Sequence, residues 1–190
     1  MLEQEYIDKA KRLAWLIHPE HNMEGHIIPV VNIALELSGE LNAQHGIVET
    51  AAYLHDAGRV KFGCRFHDRT GAWYTAIKLW EYDFPKQEAT HIVQCVRTHR
   101  GTKEFPPKTL EAEIVANADA LSHFEIALYE MGINYSSTMS FRKTVDWLER
   151  KLVYDFGHKL TLPKAKQMAQ QKYEHNIKPL IESARRYAPI

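Results

Sequence analysis

Apolar residues in this chain recur at steps of three and four almost from end to end, and no stretch alternates apolar with polar over the length of a strand. Tyr6, Ile7, Ala10, Leu13, Ala14 and Ile17 mark a first amphipathic helix over residues 2–17, broken by His18-Pro19-Glu20-His21-Asn22. His26, Val30, Ile33 and Leu37 carry a second helix. Pro29 is expected in its first turn, where a missing N–H does no harm, and Ser38-Gly39 at its end. A third runs roughly over 44–57 through Ile47, Val48, Ala51, Ala52 and Leu54. Residues 58–69 read as a basic loop. A fourth helix holds Ala72, Trp73, Ala76, Ile77, Leu79 and Trp80, and Asp83-Phe84-Pro85 stops it. A fifth covers about 86–99 with Ile92, Val93 and Val96 inward. A sixth starts near Thr109 and runs through Ile114, Val115, Ala118 and Leu121 to about Met131, where Gly132 closes it. Two more, about 138–156 and 163–187, form the tail. The pattern predicts an all-α protein, a helical core over 1–131 with a C-terminal helical extension over 132–190 packed on it. Trp147, Leu148, Leu152 and Tyr154 supply apolar surface there for covering the core or for a homodimer contact.

Several function classes are disfavoured. Lys+Arg and Asp+Glu are 24 each, so no global field draws the chain to nucleic acid or to an anionic membrane. No apolar run reaches the length of a membrane span, and Met1-Leu2-Glu3-Gln4-Glu5 is acidic where a secretory signal is basic. Two cysteines, Cys64 and Cys95, support neither a disulfide framework nor a thiolate zinc site. A cytoplasmic location is expected. The compositional oddity is the count of eleven histidines.

Two of them bear on chemistry at once. His55 and Asp56 follow the apolar run of the third helix, and Gly58 sits where a helix C-terminus favours a residue without Cβ strain. The pair is therefore expected in a last turn, at the negative end of the helix dipole, where an imidazole and a carboxylate suit a divalent cation. Asp119 lies between Ala118 and Ala120 in the sixth helix, and an acid in such an apolar stretch is costly to bury unless paired or bound to a metal. His91, Cys95 and His99 share one face of the fifth helix, read as turned half inward. His18, His21, His45, His123, His158 and His175 have no evident partner and read as surface or capping residues.

The order His26, His55-Asp56, Asp119 resembles the HD-domain superfamily of metal-dependent phosphohydrolases. Ala51-Ala52-Tyr53-Leu54-His55-Asp56-Ala57-Gly58-Arg59 is similar to that family's small-small-x-Leu-His-Asp-x-Gly-Lys segment, with Arg59 where lysine is usual. His67-x-x-x-Gly71-Ala72, the stretch from Ile92 to His99, and Glu111-Ala112 through Ala118-Asp119-Ala120-Leu121 resemble three further segments in the same order. The resemblance covers about residues 20–125 and none of the tail.

It implies an HD-domain-like helical bundle in which His26, His55, Asp56 and Asp119 hold a divalent ion. Two imidazoles and two carboxylates suit Mn, Fe, Co, Ni or Mg with two positions open for water and substrate. His67 and His99 are expected to hold a second ion, to touch substrate phosphate, or to be ordinary polar residues of the cleft. Asp56 is expected to be catalytic as well as a ligand, and Asp68 to act as a general base or to orient water. Arg59 and Lys61 are the expected substrate-binding cations, in a segment that also holds Arg65 and Arg69. The implied activity is hydrolysis of a phosphomonoester or phosphodiester, a nucleotide above all. Two alternatives stand beside it: a dinuclear iron oxygenase on the same scaffold, and a non-catalytic metal- or nucleotide-binding regulatory module.

Overall fold

The computed structural model describes residues 2–126 and 140–187; Met131, Gly132 and residue 138, expected as helix boundaries, lie outside them. Among the described residues all regular structure is helical, apart from one isolated bridge between Thr102 and Phe105. The helices are α1 Gln4–Ile17, α2 Glu20–Asn22, α3 Ile28–Glu40, α4 His45–Leu54, α5 Ala57–Phe62, α6 His67–Glu81, α7 Lys86–Thr98, α8 Leu110–Glu125, α9 Phe141–Tyr154, α10 Pro163–Lys172 and α11 Lys178–Tyr187. Wide π-type turns occupy Met23–Ile27, Asp155–Lys159 and Tyr173–Ile177.

The helix α8 is the axis of the bundle. Every residue from Ile114 to Phe124 is buried, so its polar members must find partners inside the protein. Thr109 caps it by accepting from the Ala112 N–H at 3.2 Å. Helix α3 packs on α8 and α4, α4 on α7, α6 on both α5 and α7, and α1 on α4. Met23, Ile27, Leu37, Ile47, Leu54, Ile92, Ile114 and Leu121 fill the space between. Truncating one of these to alanine costs about 2–5 kcal/mol, the range for a fully buried aliphatic side chain.

The segment 58–69, expected as a loop, is mostly helix. Helix α4 ends at Leu54, His55 and Asp56 form the corner, and α5 begins at once with Ala57. Gly58 is therefore no terminator. A Cβ there would lie 2.3 Å from the His67 carbonyl oxygen and 2.4 Å from the Gly71 nitrogen, so the glycine exists to let α6 approach. The real stop is Gly63, at φ 87°. Phe66 then takes φ 58°, a costly conformation for a bulky side chain, in the turn directly before His67.

Trp73 and Trp80, part of the spacing that marks the fourth helix, are 60% and 79% exposed. Leu148 and Leu152 are buried, so α9 faces the protein interior with them, whereas Tyr154 is exposed and stacks on His158. The C-terminal helices reach α8 through α10 and the Asp155–Lys159 turn. Asn117 fastens that contact. Its Oδ1 accepts from the N–H groups of Thr161 and Leu162 at 2.8 and 3.0 Å, and its Nδ2 donates to Thr161 Oγ1 at 2.9 Å.

Candidate metal centre

Four helices and one wide turn bring the chemistry-bearing residues together. His26 comes from the Met23–Ile27 turn, His55 and Asp56 from the corner after α4, and Asp119 from the middle of α8. His26 Nε2 lies 3.1 Å from His55 Nε2, 3.7 Å from Asp56 Oδ2 and 3.6 Å from Asp119 Oδ1. His55 Nε2 lies 3.8 Å from Asp119 Oδ1. Around a six-coordinate ion with bonds of about 2.1 Å, adjacent donors stand about 3.0 Å apart and opposite ones about 4.2 Å. The observed separations fall in that interval.

A second group lies across Asp56. His67 Nε2 and His99 Nε2 are 3.4 and 3.8 Å from Asp56 Oδ1 and 3.2 Å from each other. Asp56 thus turns Oδ2 to His26 and Oδ1 to the other two histidines, a placement that suits a bridging carboxylate.

The hydrogen bonds behind these rings decide which nitrogen faces the centre. His55 Nδ1 donates to Ala52 O at 2.8 Å, His67 Nδ1 to Cys64 O at 2.8 Å, and His99 Nδ1 to Val96 O at 2.7 Å. A carbonyl only accepts, so the proton of each neutral ring sits on Nδ1 and the Nε2 lone pair points inward. Between His67 and His99, 3.2 Å apart, the neutral rings would set two lone pairs face to face, which a cation relieves. This is the observation that tests the fit of a metal, and the donor set passes it.

Charge balance agrees. Burial pushes His26 down to about 3, helped by His55, and His99 down to about 4, so both rings are neutral. Burial opposes ionisation of Asp56 and Asp119, but both carboxyls are held well below the usual range, by His55 first at Asp56 and by His123 and Lys159 first at Asp119. Two buried carboxylates beside the neutral His26 and His99 rings favour a cation in the pocket. Arg59, on α5 and half exposed, brings Nη1 to 3.6 Å from Asp56 Oδ2, and Lys61 stands exposed on the same helix.

Asp68 is differently placed. It is buried in the first turn of α6, with Oδ2 against Arg97 Nη1 and Oδ1 3.4 Å from Arg100 Nη1. Burial pushes its pKa up, but the Arg97 and Arg100 guanidiniums outweigh this and leave it depressed. A carboxylate so engaged is a poor proton acceptor, and the general-base role expected of it does not fit. Arg97 also lies 3.6 Å over the Phe105 ring and lines a cavity of ≈ 370 Å³ with Gln94, Thr98 and Pro106.

Sequence reasoning missed His123 and Asp155. His123, expected at the surface, is buried with Nε2 3.9 Å from Asp119 Oδ1 and its ring parallel to His26. Asp155 lies 2.8 Å from its Nδ1, with Lys151 and Lys159 around it. One signal was available: His123 stands four residues after Asp119, on the same helix face. His18 is also buried rather than exposed, His45 Nδ1 pairs with Ser38 Oγ at 2.7 Å, and His91 pairs with Thr109 and Glu111.

A family model described as HD domain matches residues 23–123. Ribonuclease Y of Alkaliphilus metalliredigens (strain QYMF) is 30% identical over 122 residues, which are 64% of this chain and 24% of that protein. The chain therefore spans about a quarter of the length of that curated relative. Among solved structures the fold is similar to Bacillus subtilis YpgQ in complex with ADP, with a TM-score of 0.77 and 18% identity over 100% of this chain and 99% of that one. An HD-superfamily hydrolase from Bacillus thuringiensis gives a TM-score of 0.70 at 18% identity, with 95% of each chain covered. Identities this low speak for a shared fold alone.

Proposed function

The chain belongs to the HD-domain family, and from that premise we propose that it is a metal-dependent phosphohydrolase acting on a phosphomonoester or phosphodiester, with nucleotides as the substrate class. The observation that carries the reading is the convergence of His26, His55, Asp56 and Asp119 around His26, with donor atoms 3.1 Å (His26–His55), 3.7 Å (His26–Asp56), 3.6 Å (His26–Asp119) and 3.8 Å (His55–Asp119) apart, separations that suit ligands of one octahedral ion. These four would hold one ion, and Asp56, His67 and His99 would hold a second. A divalent ion in this place supplies a water of lowered pKa and polarises a phosphoryl oxygen. Mn, Fe, Co, Ni and Mg all suit the oxygen and imidazole donors.

The chain's own residues do the rest. The backbone carbonyls of Ala52, Cys64 and Val96 hold the three rings so that no Nε2 needs to shed a proton on binding. Arg59 stands beside Asp56 and Lys61 follows on the same short helix, two cations for the charge of a bound phosphate. Asp68 serves as a strut that holds Arg97 and Arg100. The neighbour solved with ADP and the relative named ribonuclease Y both favour a nucleotide phosphate over other phosphate esters.

The second donor group also favours one rival, a dinuclear iron oxygenase, which requires both His67 and His99 as ligands. A panel of nucleotides and dinucleotides assayed with Mn²⁺, Co²⁺, Ni²⁺ and Mg²⁺ separates the readings. Phosphate release that disappears in Asp56→Ala is the expected result. No release with any pair, together with bound iron giving a mixed-valent Mössbauer signature, would favour the oxygenase. No turnover and no iron would leave a regulatory module.

A further inference from the structure

The region after the family match ends at the edge of the metal centre. Asp155, in the wide turn after α9, is 1% exposed and 32 residues beyond His123, the last matched position. A carboxylate is rarely buried so deeply without a task or a full set of partners. Its partners are Lys159 Nζ at 3.3 Å from Oδ1, Lys151 Nζ at 3.2 Å from Oδ2, and His123 Nδ1 at 2.8 Å from Oδ2.

On the other side of that ring, His123 Nε2 faces the centre. It lies 3.9 Å from Asp119 Oδ1, and the donor atoms of His26, Asp119 and His123 all lie within 4.8 Å of one another. The distance to Asp119 is too long for an N–H···O hydrogen bond but right for two donors sharing an ion. Which atom Nε2 offers, proton or lone pair, depends on Nδ1. Lys151 Nζ stands 2.7 Å from Nδ1 and can only donate, whereas Asp155 can only accept. With the proton on Nδ1, His123 donates it to Asp155 Oδ2 at 2.8 Å, and Lys151, whose side chain is partly exposed, swings its ammonium away from the ring and donates to the same oxygen, which relieves the donor–donor contact. With Nδ1 bare, Lys151 would donate to it, but the Asp155 carboxylate would face a lone pair at 2.8 Å in a buried place. The first arrangement is favoured.

We propose that His123 is a further ligand of the metal centre, and that Asp155 is the positioning residue that turns its Nε2 lone pair inward. The inference rests on the metal reading given above. It makes the C-terminal helices part of the centre, because Asp155 reaches His123 only while the Asn117 contacts hold that turn against α8. With His123 added, fewer positions on a bound ion would stay open to water and to a phosphoryl oxygen. Carboxylate-backed histidines are a recurrent feature of metal sites because the carboxylate fixes the tautomer and raises ring basicity.

The test uses the whole chain loaded with Co²⁺, comparing wild type with Asp119→Ala, His123→Ala and Asp155→Asn. Three readouts are taken: affinity by chelator competition, the visible d–d spectrum, and ¹⁵N shifts of the metal-free histidine rings. His123→Ala should weaken Co²⁺ by roughly tenfold or more and change the d–d bands. Asp155→Asn should weaken it by roughly 10–100-fold and move the His123 ring away from the Nδ1–H tautomer. If His123→Ala does not fold, the wild-type protein decides: a hyperfine-shifted His123 Nδ1–H resonance with Co²⁺ supports ligation, and its absence overturns it. Wild-type affinity and spectrum in both His123→Ala and Asp155→Asn, with loss of the ion in Asp119→Ala, would overturn this inference alone. Retention of the ion in Asp119→Ala would bring down the metal reading beneath it.

Discussion

His67 and His99 point bare nitrogens at each other across 3.2 Å, each with its only ring proton committed to a backbone carbonyl. Two Nε2 lone pairs facing each other repel, and the rings are held together because α6 and α7 are packed together. A cation at this point would be a second ion beside one held by His26 and His55, since His26 lies on the far oxygen of Asp56. We expect two Mn²⁺ per chain by elemental analysis, one in His99→Ala, and none in Asp56→Ala, which removes the bridge. A single ion in the wild type that survives in His99→Ala would show that His67 and His99 serve phosphate instead.

Gly58→Ala decides whether the close approach of α5 and α6 matters. Within a helix this change ordinarily stabilises by about 0.5–1 kcal/mol. Here the new Cβ would meet backbone atoms at 2.3 and 2.4 Å, which no rotamer change relieves. The sign therefore reverses, with an expected loss of about 3 kcal/mol by urea denaturation, at the upper end for overpacking. Because His67 O is one of the atoms displaced, metal affinity should fall as well. A neutral or stabilising result would mean that the two helices separate freely.

Asp68→Asn distinguishes a strut from a base. A general base contributes about 10²–10⁴ in rate. The pairing with Arg97 and Arg100 predicts a different outcome, with kcat within about fivefold of wild type at a temperature where the variant is folded. Stability should drop by about 2 kcal/mol. Breaking a buried pair costs about 3–5 kcal/mol, but Arg100 is 43% exposed and contributes little. A thousandfold loss of kcat in a stably folded variant would restore the catalytic role.

These cases also show what the sequence could carry. Helix positions followed from apolar spacing because burial repeats with the turn, and the succession of His26, His55-Asp56 and Asp119 was legible as residue types in order. What sequence could not carry was proximity between elements. Gly58 looks the same in sequence whether it ends a helix or admits a neighbour, and only the neighbour, Gly71, distinguishes the two. Asp68 beside His67 looks catalytic until Arg97, 29 positions on, is seen to hold it. Asp155 is an ordinary acid in an amphipathic helix until Asn117 anchors the segment that carries it. Trp73 and Trp80 differ for the opposite reason, since helical spacing was present but both rings stay largely exposed, Trp73 with Phe62 at its edge.

Acid should destabilise the metal-free protein through a histidine outside the donor set. His18 is buried, its Nδ1 accepts from Asn22 Nδ2 at 2.8 Å, and its Nε2 has no hydrogen-bond partner. Burial holds its pKa down at about 4, with His55 and Lys61 adding to the effect and Asp56 opposing it. The unfolded chain binds a proton there near 6.5. Between those two values the unfolded state carries more protons than the native state, so stability falls as pH falls, levelling off below about 4. At about 1.4 kcal/mol per unit the contribution is about 2 kcal/mol at pH 5 and about 3 kcal/mol at pH 4. His26 and His99, pushed down to about 3 and about 4, act with the same sign, so the effect of His18 must be isolated by substitution. In chelator, His18→Leu should lose about 2 kcal/mol less than wild type between pH 7 and pH 5, measured by urea unfolding at each pH. Equal losses in the two proteins would mean that His18 is already solvated in the native state.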